Sequence, residues 1–164
     1  MRKFALLLAL LITPVAAQAS TVTSALAGAE LRGAATFKFT GFPVYEARLY
    51  TKGGAPLDWA KDFGLELKYL RNVSENTLIE GTLREFKRTG GALPLEAQLA
   101  TCFKDVRKGD RFLAVTNGGN QIGFWHNGKR TCTLKYPQIK TRFMSVFLGN
   151  NTRSASFTRQ LRGE

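Results

Sequence analysis

The sequence has little of what metal sites and catalytic triads require. It contains two cysteines and one histidine in 164 residues, and its 12 acidic residues are scattered, without paired carboxylates or a calcium-loop pattern. These groups are too few for the common zinc and calcium sites, so we expect no metal. The histidine, His126, has no nucleophile motif beside it, and we interpret it as a hairpin surface residue.

Long apolar runs are also missing, apart from one at the N-terminus. Residues 1–19, MRKFALLLALLITPVAAQA, have a charged start, an apolar run and small residues at Ala17 and Ala19. This pattern is typical of a secretory signal peptide that is removed by cleavage after Ala19. The apolar run is about half of the ~20 residues that a membrane-spanning helix needs. The sequence therefore predicts a periplasmic or secreted protein.

Acidic residues are half as frequent as basic ones. The 24 Lys and Arg residues give a formal charge of +12, and without the two in the signal peptide the charge is +10. Such a charge favours anionic partners, either a small anionic ligand or a membrane or envelope surface. No nucleic-acid-binding pattern is present, so we expect no nucleic acid partner. Arg84, Lys87 and Arg88 share the polar side of a predicted helix, which we interpret as a solvated face.

The two cysteines have a different meaning in an exported protein. An even number of cysteines in an oxidising compartment predicts a disulfide, here between Cys102 and Cys132. The alternative is a pair of buried free thiols, because unpaired cysteine behaves as a small apolar residue.

Hydrophobic periodicity predicts one domain over residues 29–164, preceded by a loose arm of small and polar residues over 20–28. Six segments are predicted strands: 31–40, 42–51, 65–71, 111–116, 121–126 and 129–136. The second and third alternate between two faces, and turn residues separate the last three. Two helices are predicted between the third and fourth strands and two after the sixth, starting near Ser74, Pro94, Pro137 and Ser154. This order predicts an α+β fold, an antiparallel sheet of about six strands with helices packed on one face.

Five segments carry a resemblance to a known family. They are KFTGFPVYEARLY at 38–50, LELKYLR at 65–71, KDVRKGDRF at 104–112, FWHNGK at 124–129 and FLGNNTRSASFTRQLRG at 147–163. Their order and spacing resemble those of chalcone isomerase-like proteins, in particular the exported bacterial branch, over roughly residues 29–163. The resemblance implies an open-faced β-sandwich with a cleft between the sheet and the helices.

The resemblance also implies a reaction and a set of site residues. Catalytic members close a chalcone to a flavanone by intramolecular attack of a phenolate, without a metal or cofactor. An arginine, a threonine, a tyrosine, an asparagine and a later hydroxyl residue line their cleft, where they can orient the substrate and stabilise the enolate. Thr40 matches the family threonine, and Arg32 is the candidate for the arginine, four residues closer to the threonine than in the catalytic pattern.

The other catalytic positions do not carry the required groups. The tyrosine and asparagine positions fall on Leu78 and Glu85, and the later hydroxyl position falls on Val146, one residue after Ser145. Each lost transition-state donor costs roughly 10²–10³ in rate. The sequence therefore argues against efficient chalcone isomerisation.

Three hypotheses about function follow. In the first, the protein is an exported, non-catalytic binding protein that takes a fatty acid or another amphipathic carboxylate in the cleft, with Arg32 and Thr40 at its polar end. In the second, it is a cofactor-free lyase or isomerase of the chalcone isomerase type with a substrate unlike chalcone. In the third, it is an envelope interaction protein that uses a basic face. The missing tyrosine and asparagine favour the first.

Overall fold

The computed structural model describes residues 20–164, so the expected signal peptide lies outside the described residues. The elements are α1 (Thr21–Ala25), β1 (Ala29–Phe39), β2 (Phe42–Lys52), β3 (Gly64–Tyr69), α2 (Glu75–Gly90), α3 (Glu96–Cys102), β4 (Arg111–Thr116), β5 (Gln121–His126), β6 (Lys129–Lys135), α4 (Ile139–Leu148) and α5 (Ala155–Arg162). None of the helices in this part of the chain has the length and apolarity needed to cross a membrane.

The six strands form one antiparallel sheet in which each strand pairs with its neighbours in sequence, from β1 to β6. Short turns join β1 to β2 and β5 to β6, whereas the connection between β3 and β4 contains α2 and α3. At the turn between β5 and β6, Asn127 and Gly128 both have positive φ, 47° and 81°, as a two-residue hairpin turn requires. The predicted α+β fold with a six-stranded antiparallel sheet is confirmed.

The main hydrophobic core lies between one face of the sheet and helices α2 to α5. Alternation along β4 shows the division between the two faces, because Phe112 and Ala114 pack in this core while Leu113 and Val115 lie in a separate cluster. The predicted serine caps are present at two helices: the Ser74 hydroxyl accepts a hydrogen bond from the backbone N–H of Thr77 at the start of α2, and Ser154 caps α5 in the same way. Helices α3 and α4 start without a side-chain cap.

The segment 20–28 differs from the expected loose arm. It contains α1, and Val22 and Leu26 are buried against Leu113 and Val115. The two buried residues are four positions apart, the spacing that places side chains on the same side of a helix. The small residues around them hide this short apolar pattern in the sequence.

The predicted disulfide between Cys102 and Cys132 is present. It joins the end of α3 to β6, with 5.0 Å between the two Cα atoms. Cys102 is fully buried in the main core. The bond therefore fixes α3 against the sheet at the end opposite to β1.

Candidate ligand-binding cleft

A cleft of about 770 Å³ opens between the sheet and the helices beside β1, β2 and β3. Its floor is formed by these strands, one wall by α2, and the other by the end of α4 and the start of α5. This volume lies within the range of about 300–1,000 Å³ that is typical of small-molecule sites. The cleft is large enough for an organic ligand.

The floor and far wall of the cleft are mainly aromatic. Phe37 and Tyr45 are cross-strand neighbours on β1 and β2 and stack with 5.2 Å between ring centroids. Phe157 of α5 meets Phe37 edge to face at 5.7 Å, and Tyr45 is 6.3 Å from Phe147 of α4. Such contacts orient the rings, so the apolar wall is preformed.

Helix α2 presents a mixed face to the cleft. Leu78, Gly81, Thr82 and Glu85 line it at the helical spacing of three and four residues. A Cβ placed on Gly81 would have no atom within 4 Å, so the helix leaves open space at this point of the wall. The glycine widens the cleft in the middle of the helix.

Several hydroxyl groups in the cleft lining already have partners within the protein. Thr82 donates to the carbonyl of Leu78 at 2.8 Å, and the hydroxyls of Thr152 and Thr158 are 2.7 Å apart. The hydroxyl of Ser74 contacts that of Thr77 at 2.9 Å at the start of α2. Because these hydroxyls form hydrogen bonds within the protein, the cleft wall offers a ligand fewer free polar groups than its composition suggests.

Two tyrosines remain protonated at physiological pH. Burial raises the pKa of Tyr45, and the neighbouring Tyr69 and Glu85 raise it further. Burial alone raises the pKa of Tyr69. Both phenols are therefore neutral hydrogen-bonding groups in the cleft, and neither is a phenolate or a general base near neutral pH.

One carboxylate, that of Glu85, lies in the cleft wall, and two arginines balance its negative charge. Burial by itself raises the pKa of Glu85, but hydrogen bonds and charge from Arg88 and Arg153 outweigh burial, and the net pKa is lowered. The closest ion-pair contacts are 2.7 Å to Arg88 and 2.5 Å to Arg153. Glu85 is therefore ionised and bridges α2 to the segment before α5, where Arg153 lies.

Two other arginines on the cleft rim have no such partner. Arg71 follows β3 and Arg84 lies in the third turn of α2, and both are exposed. Within residues 20–164, neither guanidinium has a carboxylate within 4 Å. The rim therefore carries positive charge that an anionic ligand can meet. Neither residue stands out in the sequence as a cleft residue, because Arg84 resembles a solvated helix position and Arg71 an ordinary strand end.

The structure places Arg32 outside the cleft. The register of β1 and β2 shifts at this residue, between Leu31 and Gly33. Its guanidinium donates to the carbonyls of Arg162 and Gly163, at 3.0 and 3.1 Å. Cations at these orphan carbonyls stabilise the end of a helix. Arg32 therefore caps α5, and within residues 20–164 its guanidinium has no carboxylate within 4 Å.

The approach of α5 to β1 is close at this point. A Cβ on Gly33 would lie 2.5 Å from the carbonyl oxygen of Leu161, so only glycine fits here without displacing backbone. Arg162 at the end of α5 in turn donates to the carbonyl of Leu148 at the end of α4. Two arginines thus tie β1, α5 and α4 together behind the aromatic wall.

Thr40 also lies outside the cleft lining. It occupies the exposed turn between β1 and β2, with φ of 48°, and its hydroxyl donates to the carbonyl of Phe39 at 2.8 Å. The structure therefore brings Arg32 and Thr40 neither together nor to the cleft. By contrast, Leu78, Glu85 and Val146 do line it. His126 lies away from it, with Nε2 3.2 Å from Asp110.

Comparisons with known proteins agree with this architecture. A fatty-acid binding protein of Arabidopsis thaliana has a similar fold, with a TM-score of 0.63 and 11% sequence identity, over 84% of this chain and 88% of that protein. No curated protein matches the sequence. The sequence matches the chalcone isomerase-like family over residues 14–163. This chain belongs to the chalcone isomerase-like family.

Proposed function

We propose that the protein binds a fatty acid or another amphipathic carboxylate in this cleft without transforming it. The observation that carries the proposal is the combination of a preformed aromatic wall with two unpaired arginines, Arg71 and Arg84, on the rim. An apolar tail gains by leaving water, at about 0.8 kcal/mol per buried CH₂. A carboxylate gains a charge-assisted hydrogen bond from a guanidinium.

Arg71 and Arg84 replace Arg32 and Thr40 as candidates for the polar end. Arg71 lies before α2 and Arg84 lies in its third turn, so the two mark different points on the rim. Arg153 is a weaker candidate because Glu85 already holds it. The similar fold of a plant fatty-acid binding protein adds support for this ligand class.

The alternative of a cofactor-free lyase or isomerase has less support. Leu78, Glu85 and Val146 line the cleft at the positions that the family resemblance assigns to a tyrosine, an asparagine and a hydroxyl residue. An apolar side chain cannot donate to an enolate, and neither can the ionised carboxylate of Glu85, which only accepts hydrogen bonds. Rapid stereospecific closure of a chalcone by the purified protein would favour this alternative.

The proposed setting is outside the cytoplasm. The signal-peptide pattern and the Cys102–Cys132 disulfide both support export to an oxidising compartment. Intact-mass analysis of the natively produced protein tests this point, and we expect a mature chain that begins at Ser20.

The first binding experiment compares a fatty acid with the fatty alcohol of the same chain length. By calorimetric titration, we expect Arg71→Ala or Arg84→Ala to weaken binding of the acid about tenfold or more, because a hydrogen bond to a charged group contributes about 1.5–3 kcal/mol. Binding of the alcohol should change little. Arg107→Ala is the matched control, since Arg107 is exposed and lies outside the cleft lining. Equal losses for acid and alcohol, or no saturable binding of either, would contradict the proposal.

The second experiment fills the cleft from the wall of α2. Gly81→Leu places a side chain in the open space beside Gly81 and should abolish binding. The same change should raise the stability of the helix by about 0.5–1 kcal/mol, because glycine is a poor helix former. Glu80→Leu, at an exposed position of the same helix, is the control and should leave binding intact. Unchanged binding in a folded Gly81→Leu variant would show that the ligand lies elsewhere.

A further inference from the structure

The hairpin formed by β1 and β2 extends beyond the rest of the sheet. Strand β3 pairs with β2 from Tyr45 onward, so Phe42 and Pro43 of β2 pair with β1 only. The turn itself is tight, with Thr40 and Gly41 both at positive φ, 48° and 85°. This conformation matches the twist of a two-residue hairpin. We call residues 38–43 the hairpin tip.

The hairpin tip exposes two large aromatic side chains. Phe39 and Phe42 are direct cross-strand neighbours and are 58% and 67% exposed. Among residues 20–164, one other large apolar side chain is exposed. It is that of Leu31, which is 52% exposed and lies eight residues from Phe39 along β1. Two adjacent exposed aromatics on an ordered turn are typical of an interaction surface.

Basic residues surround this apolar tip. Lys38 is exposed at the tip itself, and Arg71 is held near it because the N–H of Leu70 donates to the carbonyl of Val44 at 2.9 Å. Arg84 extends the positive charge along the cleft rim, while Glu85, the one carboxylate in the lining, is neutralised by two arginines. An apolar tip with a basic border is complementary to an anionic lipid surface.

A second copy of the chain fits this surface less well. An aromatic side chain buries about 150–250 Å², so the four aromatics of two facing tips bury at most about 1,000 Å², less than the ~1,200 Å² of the smallest stable interfaces. A bilayer needs no such area, because insertion of a few apolar side chains together with nearby basic residues gives reversible binding.

We infer that the hairpin tip docks on an anionic lipid bilayer, with Phe39 and Phe42 inserted at the level of the head groups. Phe39 also lines the cleft, whereas Phe42 does not. Docking therefore sets the cleft mouth against the bilayer, where an amphipathic ligand can enter without crossing water. This docking does not depend on which ligand the cleft binds.

The test is co-sedimentation with phosphatidylcholine vesicles, with and without phosphatidylglycerol. We expect the mature protein to bind the anionic vesicles, and Phe42→Ser to weaken that binding about tenfold or more, from the apolar area lost. Leu31→Ser, which removes another exposed apolar residue from the same hairpin but away from its tip, should have little effect. Lys38→Gln should weaken binding about fivefold and reduce its dependence on salt.

A fluorescence variant reports insertion directly. In Phe42→Trp, the added indole should shift its emission to shorter wavelength with anionic vesicles and resist aqueous quenchers. No vesicle binding, or equal losses in Phe42→Ser and Leu31→Ser, would overturn the inference. A dimer in solution that Phe42→Ser dissociates, without vesicle binding, would assign the tip to a second copy instead.

Failure of the docking is distinguishable from failure of the ligand. Because Phe42 lies outside the cleft lining, Phe42→Ser should bind a soluble fatty acid as tightly as the unmodified chain. If Phe42→Ser loses vesicle binding and keeps fatty-acid binding, the hairpin tip is needed for docking and not for the ligand. The absence of fatty-acid binding with vesicle binding intact would contradict the proposed ligand and leave the docking in place.

Discussion

The two ends of the sheet use aromatic residues in opposite ways. At the β4–β6 end, Phe103, Phe112 and Phe124 interlock at 5.3 to 5.7 Å and are almost fully buried. At the β1–β2 end, Phe37 and Tyr45 make contacts at similar distances, yet both remain partly exposed beside the cleft. The same residue types therefore form a closed core at one end and the wall of a binding site at the other.

The difference lies in what covers the rings. At the closed end, the Cys102–Cys132 bond holds α3 against β6, and Phe143 of α4 meets Phe124 edge to face at 5.3 Å. At the open end, α2 has Gly81 where a larger side chain would reach into the cleft. This part of the sheet is accessible because one helix has a small residue above it, and not because the sheet has fewer aromatic residues here.

The strongest test of this contrast removes one ring at each end. Phe124→Ala should lower the free energy of unfolding by about 3–5 kcal/mol, because Phe124 is fully buried and leaves a cavity. Phe37→Ala should cost clearly less, since part of the ring already contacts solvent. Urea unfolding of both variants measures the difference. Equal losses would show that the open end is packed as tightly as the closed one.

The disulfide should matter nearly as much as Phe124. Its loop has a sequence separation of 30 residues, for which the chain-entropy relation gives about 3–4 kcal/mol. We expect the Cys102→Ala, Cys132→Ala double variant to lose about this amount in thermal unfolding, while fatty-acid affinity below the transition is retained. A loss of affinity in the folded variant would mean that the closed end controls the shape of the cleft.

Arg32 tests whether the helix cap and the binding site are separate. Arg32→Ala should lower the unfolding free energy by about 1 kcal/mol, through loss of its hydrogen bonds to the end of α5. Fatty-acid affinity should stay the same, in contrast to Arg71→Ala. A selective loss of acid binding over alcohol binding in Arg32→Ala would return this residue to the polar end of the ligand.

The smallest expected effect is the pH dependence contributed by Glu85. Since its folded-state pKa is lowered, the carboxylate stabilises the protein above its ordinary pKa of about 4.5, and this stability is lost as pH falls through the lowered value. Glu85→Gln should therefore be less stable than the unmodified chain at pH 7, with the difference shrinking in acid. Urea unfolding along a pH series measures it. A difference in unfolding free energy that stays constant at all pH values would contradict the ion pairs of Glu85 with Arg88 and Arg153.

Local patterns were enough to predict most of the fold. Alternation marks β2 and β3, turn residues separate β4 to β6, Ser74 marks the start of α2, and Asn127-Gly128 has the geometry that its sequence predicts. These features depend on residues close together in sequence. The cysteine pairing was predicted because two cysteines allow a single intramolecular bond.

The candidate site was harder to predict because it depends on register and long-range packing. The register shift at Arg32 is not visible in the alternation of β1, and it accompanies a side chain directed to α5. Thr40 lies in the turn and not on the strand face. Arg71 and Arg84 line the same cleft only after α2 packs over the sheet. By contrast, Leu78 and Val146 reach the cleft where the family resemblance places them.

The seam between α5 and β1 also has a consequence for the order of folding. Arg32 and its partner Arg162 are 130 residues apart in sequence, and Gly33 allows their backbones to approach closely. Contacts between such distant segments form late, because the entropy of closing the loop must be overcome before they contribute. We therefore expect the cleft to be the last part of the molecule to assemble, with Phe37 and Tyr45 unprotected until α5 docks. The binding wall is then also the surface most exposed to aggregation while the protein folds.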